Sequence, residues 1–301
     1  MIPVSPPDDH TRLTLSAARA SVAVALALIG LKLWATLSTG ALSVMASLVD
    51  SGMDLVMSLG AMLALRYAAR PPDDDHAFGH TSVEDLAALG QALVLTGAAV
   101  AIGWAAVARL VAGKAGVLAS ETTGMLVMGI AAVLTLTLVL WQSHVVRRTG
   151  SRVVAADRLH YLADLMPALG SVLALYVSQR WGIWQGDAVV GLVAAGGLGW
   201  GAVQIGRGAW HALMDRHADP EIRAGIGRIA DGWPGVMGWH DLKTRTAGSR
   251  VFVHLHIELD GNQSLAEAHE IGAGLRRAIL VAYPQADVII HKDVHHQPSS
   301  P

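Results

Sequence analysis

The sequence has no cysteine and little charge. Cysteine is absent from all 301 residues, which excludes disulfides, thiolate metal ligands and a cysteine nucleophile. Only 15% of the residues are charged and 52% are hydrophobic, whereas an average soluble domain has about 25% charged residues. Aromatic residues make up 5% and the net charge is −2, so the sequence lacks the basic excess expected of a nucleic-acid-binding protein. These figures indicate a membrane protein rather than a freely soluble enzyme.

Six apolar stretches are long enough to cross a bilayer, which takes about 20 residues. Three of them contain no Asp, Glu, Lys or Arg: Leu86–Ala108, Thr122–Val146 and Ala188–Gly206. The other three, roughly 13–37, 41–65 and 153–179, include ionisable residues. Basic residues are more frequent on one side of the six spans, which predicts cytoplasmic termini. We therefore expect an N-terminal tail over 1–12, a six-helix transmembrane domain over 13–214 and a cytoplasmic domain over 215–301.

The last part of the chain has an ordinary soluble composition and reads as a small α+β unit. Helical and strand patterns alternate in the order αββαβ: Pro220–Asp231, Trp239–Thr246, Arg250–Leu259, Ser264–Tyr283 and Asp287–His291. Every second residue of the second strand is aliphatic from Val251 to Leu259, which predicts one buried face. Ser264 and Glu267 have the spacing of a helix capping box. This order favours a small open sheet with helices on one face.

Two pairs of ionisable residues lie inside predicted spans at helical spacing. Asp50 and Asp54 share one face of the second span, and His160 and Asp164 share one face of the fifth. Such groups are costly inside a bilayer unless they are paired, hydrated or bound to a cation. Three carboxylates and an imidazole suit a tetrahedral divalent cation, above all Zn²⁺. The alternative is that the acids reach the interface or pair with basic residues of the spans, namely Lys32 and Arg158.

The histidines concentrate in two other places. Asp73, His76 and His80 follow one another at three- and four-residue spacing between the second and third spans, where they either bind a metal or form a solvated acidic loop. Eight of the fourteen histidines lie in the C-terminal unit. Neighbouring strands and the last helix would bring one set of residues together as nitrogen and carboxylate ligands: His240, His256, His269, His291 and Asp293. We expect His254, His295 and His296 not to be ligands.

Several motifs occur together and in order: Ser47–Asp54, Asp73–Leu89, Ala156–Asp164, Trp233–Arg245 and Asp287–His291. With them the chain resembles the cation diffusion facilitator family, in particular its bacterial FieF/YiiP-type efflux transporters, over nearly its whole length. The resemblance implies a homodimer with six membrane helices per subunit and a ferredoxin-like cytoplasmic domain. It also implies export of divalent metals from the cytoplasm in exchange for protons.

The resemblance assigns the candidate ligands to three sites. Asp50, Asp54, His160 and Asp164 match the transport site, and Asp73, His76 and His80 match the loop site. The C-terminal residues His240, His256, His269, His291 and Asp293 match a binuclear site at the subunit interface. One departure concerns a lysine that locks the dimer in close relatives: Ser82 stands in its place, although Asp215 matches the aspartate partner.

These observations predict a proton-coupled antiporter of the inner cell membrane rather than an enzyme. Zn²⁺ is the expected cargo and regulatory ligand, with Cd²⁺ and Fe²⁺ as further cargo, because an imidazole disfavours the harder Mn²⁺. His160 is the expected proton carrier, since histidine titrates near neutral pH. An intramembrane metalloprotease would need a His-Glu-x-x-His helix, and His269-Glu270 lacks the second histidine. A non-transporting metal sensor is the remaining alternative.

Overall fold

Wherever the structure describes a stretch that the sequence predicts to cross the membrane, that stretch is helical. The computed structural model describes residues 7–39, 42–112, 122–165 and 186–295. The predicted residues 166–179 of the fifth span lie outside this part of the chain. The helices of the first unit are α1 (Pro7–Thr39), α2 (Leu42–Ala68), α3 (Ser82–Ala112), α4 (Thr122–Thr149), α5 (152–165) and α6 (Gly186–Leu213).

Polarity in these helices is distributed as in a membrane protein. Within the described residues, three segments are individually long and apolar enough to span a bilayer: Asp9–Ala35, Ser82–Ala108 and Gly129–Thr149. Large apolar side chains such as Trp104 and Trp200 are 77% and 70% exposed, whereas the polar side chains of Ser21 and Gln142 are fully buried. Lipid can surround the apolar surface, while polar groups must find partners inside the bundle.

The second unit confirms the predicted αββαβ order. It consists of α7 (Pro220–Asp231), β1 (Gly238–Ala247), β2 (Arg250–Leu259), α8 (Leu265–Ala282) and β3 (Ala286–Val294). The three strands lie in the order β1-β2-β3. A short turn joins the antiparallel strands β1 and β2, whereas β2 and β3 are parallel and therefore need the crossover that α8 provides.

Local signals set the ends and faces of these elements. The Ser264 hydroxyl accepts the Glu267 N–H, and the Glu267 carboxylate accepts the Ser264 N–H at 2.7 Å, so the predicted capping box is present. The alternating aliphatic residues of β2 are buried in the core together with Leu275 and Ile279 of α8. Phe252 departs from the alternation: it lies on the predicted polar face but is buried, with the Arg245 guanidinium 4.3 Å from the ring centre.

Candidate metal centres

Three predicted ligands converge between α2 and α5. We call Asp54, His160 and Asp164 the helix cluster. His160 Nε2 lies 2.9 Å from Asp54 Oδ1 and 3.9 Å from Asp164 Oδ2, and one ligand atom from each residue lies within 4.8 Å of the other two. Ligand atoms around a tetrahedral Zn²⁺ are about 3.3 Å apart, because each bond is about 2.0–2.1 Å long. The helix cluster is therefore close to the size that one such ion requires.

The side chains around the helix cluster test the alternative that its acids pair with Lys32 or Arg158 instead of binding a cation. Asp54 is buried and its partner is His160. Lys32 donates to the Ser51 hydroxyl at 2.6 Å, and the buried Nε of Arg158 has no hydrogen-bond partner among the described residues. For Asp54 these contacts favour the interpretation as a metal ligand, because its carboxylate is paired with the imidazole of His160.

The loop between α2 and α3 brings together a second group. We call Asp73, His76 and His80 the loop cluster. Asp73 Oδ1 accepts the His76 N–H at 2.7 Å and lies 3.0 Å from His76 Nδ1, while Asp73 Oδ2 lies 3.2 Å from His80 Nε2. Desolvation acts to raise the pKa of Asp73, but the hydrogen bonds and charge of His76, with the charge of His80, leave this pKa below its ordinary value. His80 is buried edge-on against Tyr67.

The register of the sheet aligns three histidines in one row. His240 of β1 is opposite His256 of β2, and His256 is opposite His291 of β3. The next row of the same face pairs Glu258 with Asp293. A bulge between His240 and Lys243 interrupts the β1–β2 pairing directly after this row. The strands therefore carry the ligands to one face because residues two apart on a strand point the same way.

The side chains of this face form the sheet cluster, which we define as His240, His256, His291 and Asp293. Asp293 is at its centre, with Oδ2 at 2.9 Å from His256 Nδ1 and 3.4 Å from His240 Nε2, and Oδ1 at 3.1 Å from His291 Nε2. The hydrogen bond from His256 lowers the pKa of Asp293, with further lowering from the charges of the three histidines. The sheet cluster thus presents three imidazoles around an ionised carboxylate.

Sequence reasoning missed two residues next to the sheet cluster. Glu258 Oε1 lies 3.1 Å from His240 Nδ1, and Glu258 Oε2 lies 2.7 Å from His295 Nδ1. The hydrogen bond from His295 lowers the pKa of Glu258, and the one from His240 adds to the effect. Because Nδ1 of His240 is held by Glu258, its Nε2 faces Asp293. The alternation of β2 predicted that Glu258 lies on the polar face, but no pattern among neighbouring residues indicated that it contacts His240 and His295.

Two predicted ligands are not placed in a cluster by these contacts. The side chain of Asp50 lies outside the described part of the structure, although its backbone belongs to α2. His269 is exposed on α8 and is absent from the clusters that the described residues of this single chain form. For these two residues, as for the other candidate ligands, metal binding stays a prediction.

The structure describes both residues that the sequence analysis assigned to the dimer lock, Ser82 and Asp215. Ser82 is the first residue of α3. Asp215 has a positive φ of 53° and lies 3.3 Å from the Arg245 guanidinium of the same chain. The aspartate that the resemblance assigns to the dimer lock therefore has a partner on β1 of its own C-terminal unit.

Two family models match the chain on either side of the end of α6. The "Cation efflux transmembrane domain" matches residues 18–214, and the "Cation efflux protein, cytoplasmic domain" matches residues 218–295. The chain belongs to the cation efflux family. A cation efflux protein is a multi-pass membrane transporter of divalent cations rather than an enzyme, so the predicted class is confirmed.

Individual cation efflux proteins are similar over almost their full length. "Cation-efflux pump FieF" of Shewanella oneidensis is 43% identical over 277 residues, which cover 92% of this chain and 93% of that protein. The pump of the same name from Cronobacter sakazakii is 38% identical and covers 95% of this chain and 94% of that protein. The solved structure "MamM-CTD 215-293" is 21% identical and covers 25% of this chain and 96% of that one, with a TM-score of 0.24.

Proposed function

We propose that this cation efflux protein is a homodimeric proton-coupled antiporter that exports Zn²⁺ from the cytoplasm, with Cd²⁺ and Fe²⁺ as further substrates. The helix cluster carries the proposal, because it places two carboxylates and an imidazole at ligand spacing between two membrane helices. Two observations favour a transporter over a non-transporting sensor. The chain belongs to an efflux family, and the helix cluster lies between membrane helices.

The donor set supports the choice of cation. Borderline cations such as Zn²⁺ accept imidazole nitrogen together with carboxylate oxygen, whereas Mg²⁺, Ca²⁺ and Mn²⁺ prefer oxygen ligands. His160 supplies the nitrogen of the helix cluster, and its ring is mostly buried beside Asp54. We expect His160 to contribute to discrimination against Mn²⁺ for this reason.

Proton coupling follows from competition for the same atoms. A metal ligand must be deprotonated, so binding of the cation releases protons and protonation releases the cation. The shared contact of His160 with Asp54 and Asp164 means that a proton on this ring also pairs with the carboxylates that held the cation. Acid outside the cell would therefore drive release, and neutral cytoplasm would allow loading.

Transport in proteoliposomes tests the proposal. The full-length chain should move Zn²⁺ when a pH gradient is imposed, and both Asp54→Ala and His160→Ala should abolish the pH-driven flux. His144→Ala is the matched control, because His144 is an exposed histidine of α4 that stacks on Trp141 instead of joining a cluster. A His160→Ala protein that still couples Zn²⁺ flux to proton uptake would refute the assignment.

We further propose that the loop and sheet clusters bind the same cation without lying on the transport path. Zn²⁺ bound to the sheet cluster would neutralise the charge of the clustered ligands. The C-terminal units of two subunits would then move closer together. Single-cysteine labels at Ser249→Cys are practical, since the chain has no cysteine of its own. The distance between labels of the two subunits should shorten when Zn²⁺ is added, and equal distances with and without Zn²⁺ would overturn the regulatory role.

We also propose that both termini are cytoplasmic and that the membrane is the inner membrane. A membrane-impermeant maleimide should label Lys114→Cys from outside in intact cells, because Lys114 lies in a predicted external loop. Ser249→Cys should react only after the cells are opened. Labelling of Ser249→Cys in intact cells would reverse the orientation.

A further inference from the structure

A buried carboxylate outside the three clusters joins four membrane helices. Asp157 of α5 is 3% exposed. Its Oδ2 accepts the Ser21 hydroxyl of α1 at 2.6 Å and the Gln142 side-chain amide of α4 at 2.7 Å. Its Oδ1 lies 3.4 Å from the Ser58 hydroxyl of α2. A buried carboxylate is stable in such a place only where donors surround it.

Tyr161 closes this network from the same helix. Its hydroxyl donates to the Ser21 carbonyl at 3.2 Å and lies 3.0 Å from the Ser58 hydroxyl. All four partners are at most 1% exposed. We call these five side chains the polar hub: Ser21, Ser58, Gln142, Asp157 and Tyr161.

The polar hub lies one helical turn from the helix cluster on two helices at once. Ser58 follows Asp54 by four residues on α2, and Asp157 precedes His160 by three on α5, which are axial rises of about 6 Å and 4.5 Å. The contacts Asp54–His160 and Ser58–Asp157 show that the two helices run in opposite directions past each other. The hub is therefore a second connection between the two helices that carry the ligands.

We propose that Asp157 is a positioning residue for transport: the polar hub fixes the separation of α2 and α5 and so keeps Asp54, His160 and Asp164 at ligand spacing without a cation. The inference rests on the proposed function, since it takes the helix cluster as the transport site. Before the cation binds, the carboxylates of the cluster repel each other, and this repulsion acts to separate the helices. The hydrogen bonds of the hub oppose that separation, and a site held at its productive geometry binds more tightly than one that must be assembled.

The hub uses Asp157 as a hydrogen-bond acceptor rather than as a charge. In Asp157→Asn, the amide oxygen can still accept from Ser21 and Gln142, and the amide N–H can donate to the Ser58 hydroxyl. Asp157→Ala removes the acceptor altogether and leaves the donors of Ser21 and Gln142 buried without it. The two variants therefore separate positioning from charge.

The experiment measures the KM for Zn²⁺ flux of the full-length chain in proteoliposomes. Asp157→Ala should raise the KM about tenfold, the lower end of what loss of a supporting partner costs a metal site, with a smaller change in maximal rate. Asp157→Asn should keep a KM close to the unmodified chain, and Ser58→Ala should be intermediate. Ser143→Ala is the matched control, because Ser143 neighbours Gln142 but, among the residues that the structure describes, its hydroxyl donates to the Val139 carbonyl of its own helix and to no residue of the hub.

Each outcome decides the role of Asp157. An Asp157→Ala chain with unchanged KM overturns the proposal, whatever its maximal rate or yield. An Asp157→Asn chain that fails as Asp157→Ala does would overturn it in favour of the charge. If Asp157→Ala does not fold, an unchanged KM in Ser58→Ala counts against the hub in the same way.

A binding measurement keeps this test separate from the proposed function. Zn²⁺ affinity is measured by calorimetry on the solubilised chain with the loop and sheet clusters disabled by His80→Ala and Asp293→Ala. Absence of Zn²⁺ flux in the unmodified chain would refute the proposed transport. The affinities of the Asp157 and Ser58 variants would still show whether the hub positions the helix cluster: the proposal requires the tenfold loss in Asp157→Ala, and equal affinities would reject it.

Discussion

Replacement of Glu258 by glutamine isolates what one carboxylate contributes to the sheet cluster. Glu258 holds His240 Nδ1 at 3.1 Å with one oxygen and His295 Nδ1 at 2.7 Å with the other. Metal-bound histidines commonly donate their second nitrogen to such a carboxylate, which orients the ring and raises its basicity. Glu258→Gln keeps the size of the side chain and one acceptor oxygen but removes the negative charge.

The structure sets the size of the expected effect. Loss of a supporting carboxylate typically lowers metal affinity about 10- to 100-fold. The glutamine oxygen can still accept from His240, so Glu258→Gln should lower Zn²⁺ affinity about tenfold, at the weaker end of that range. Glu258→Ala leaves both rings without their partner and should approach the upper end. His295→Ala should have the smallest effect, because the contact between Glu258 and His240 survives.

A chelator competition assay measures these affinities on the full-length chain. Asp54→Ala and His80→Ala in the background disable the other two clusters, so the remaining affinity reports the sheet cluster. Glu270→Gln is the control, because Glu270 is an exposed acid of α8. Equal affinities of Glu258→Gln, Glu270→Gln and the background chain would refute the reasoning and would mean that orientation of His240 by Glu258 does not matter for binding.

Three further predictions concern the C-terminal unit. Leu275→Ala should lower the free energy of unfolding by about 2–5 kcal/mol, measured by hydrogen exchange of α8, because Leu275 is fully buried, whereas Leu265→Ala at an 84% exposed position should change little. Gly235→Ala should cost about 1–2 kcal/mol in the same measurement, because Gly235 has a φ of +87° and a Cβ would lie 2.6 Å from Ile271 Cδ1; unchanged protection would contradict this. Folding lowers the pKa of Asp293, so its ionised carboxylate stabilises the folded state. This contribution is complete above about pH 3.9, the ordinary pKa of aspartate, and is lost only as the pH falls through the lower pKa of the folded state. Asp293→Asn should therefore lower Zn²⁺ affinity at about pH 5 as well as at about pH 7 in the chelator competition assay, because the Asp293 carboxylate is ionised at both values; an unchanged affinity at either pH would contradict this.

Much of the fold and part of the site could be predicted because they depend on residues close in the chain. The capping box of Ser264 and Glu267 involves residues three apart, and the alternation of β2 involves residues two apart. The long apolar runs predicted the membrane helices because a bilayer imposes length and polarity on each helix separately. The same reasoning placed His160 and Asp164 on one face of α5, since helical spacing alone brings them together.

The sequence by itself determined which side chains are available: it has no thiolate and few charges, and acids and histidines recur at three- and four-residue spacing. The geometry was decided by contacts between distant residues. Asp54 and His160 are separated by 106 positions, and Ser21 and Asp157 by 136, so no local pattern could pair them. Likewise, Glu258 became a neighbour of His240 and His295 only through the register of β1, β2 and β3. Strand register and helix packing depend on which surfaces bury each other, and those surfaces exist only once the chain has folded.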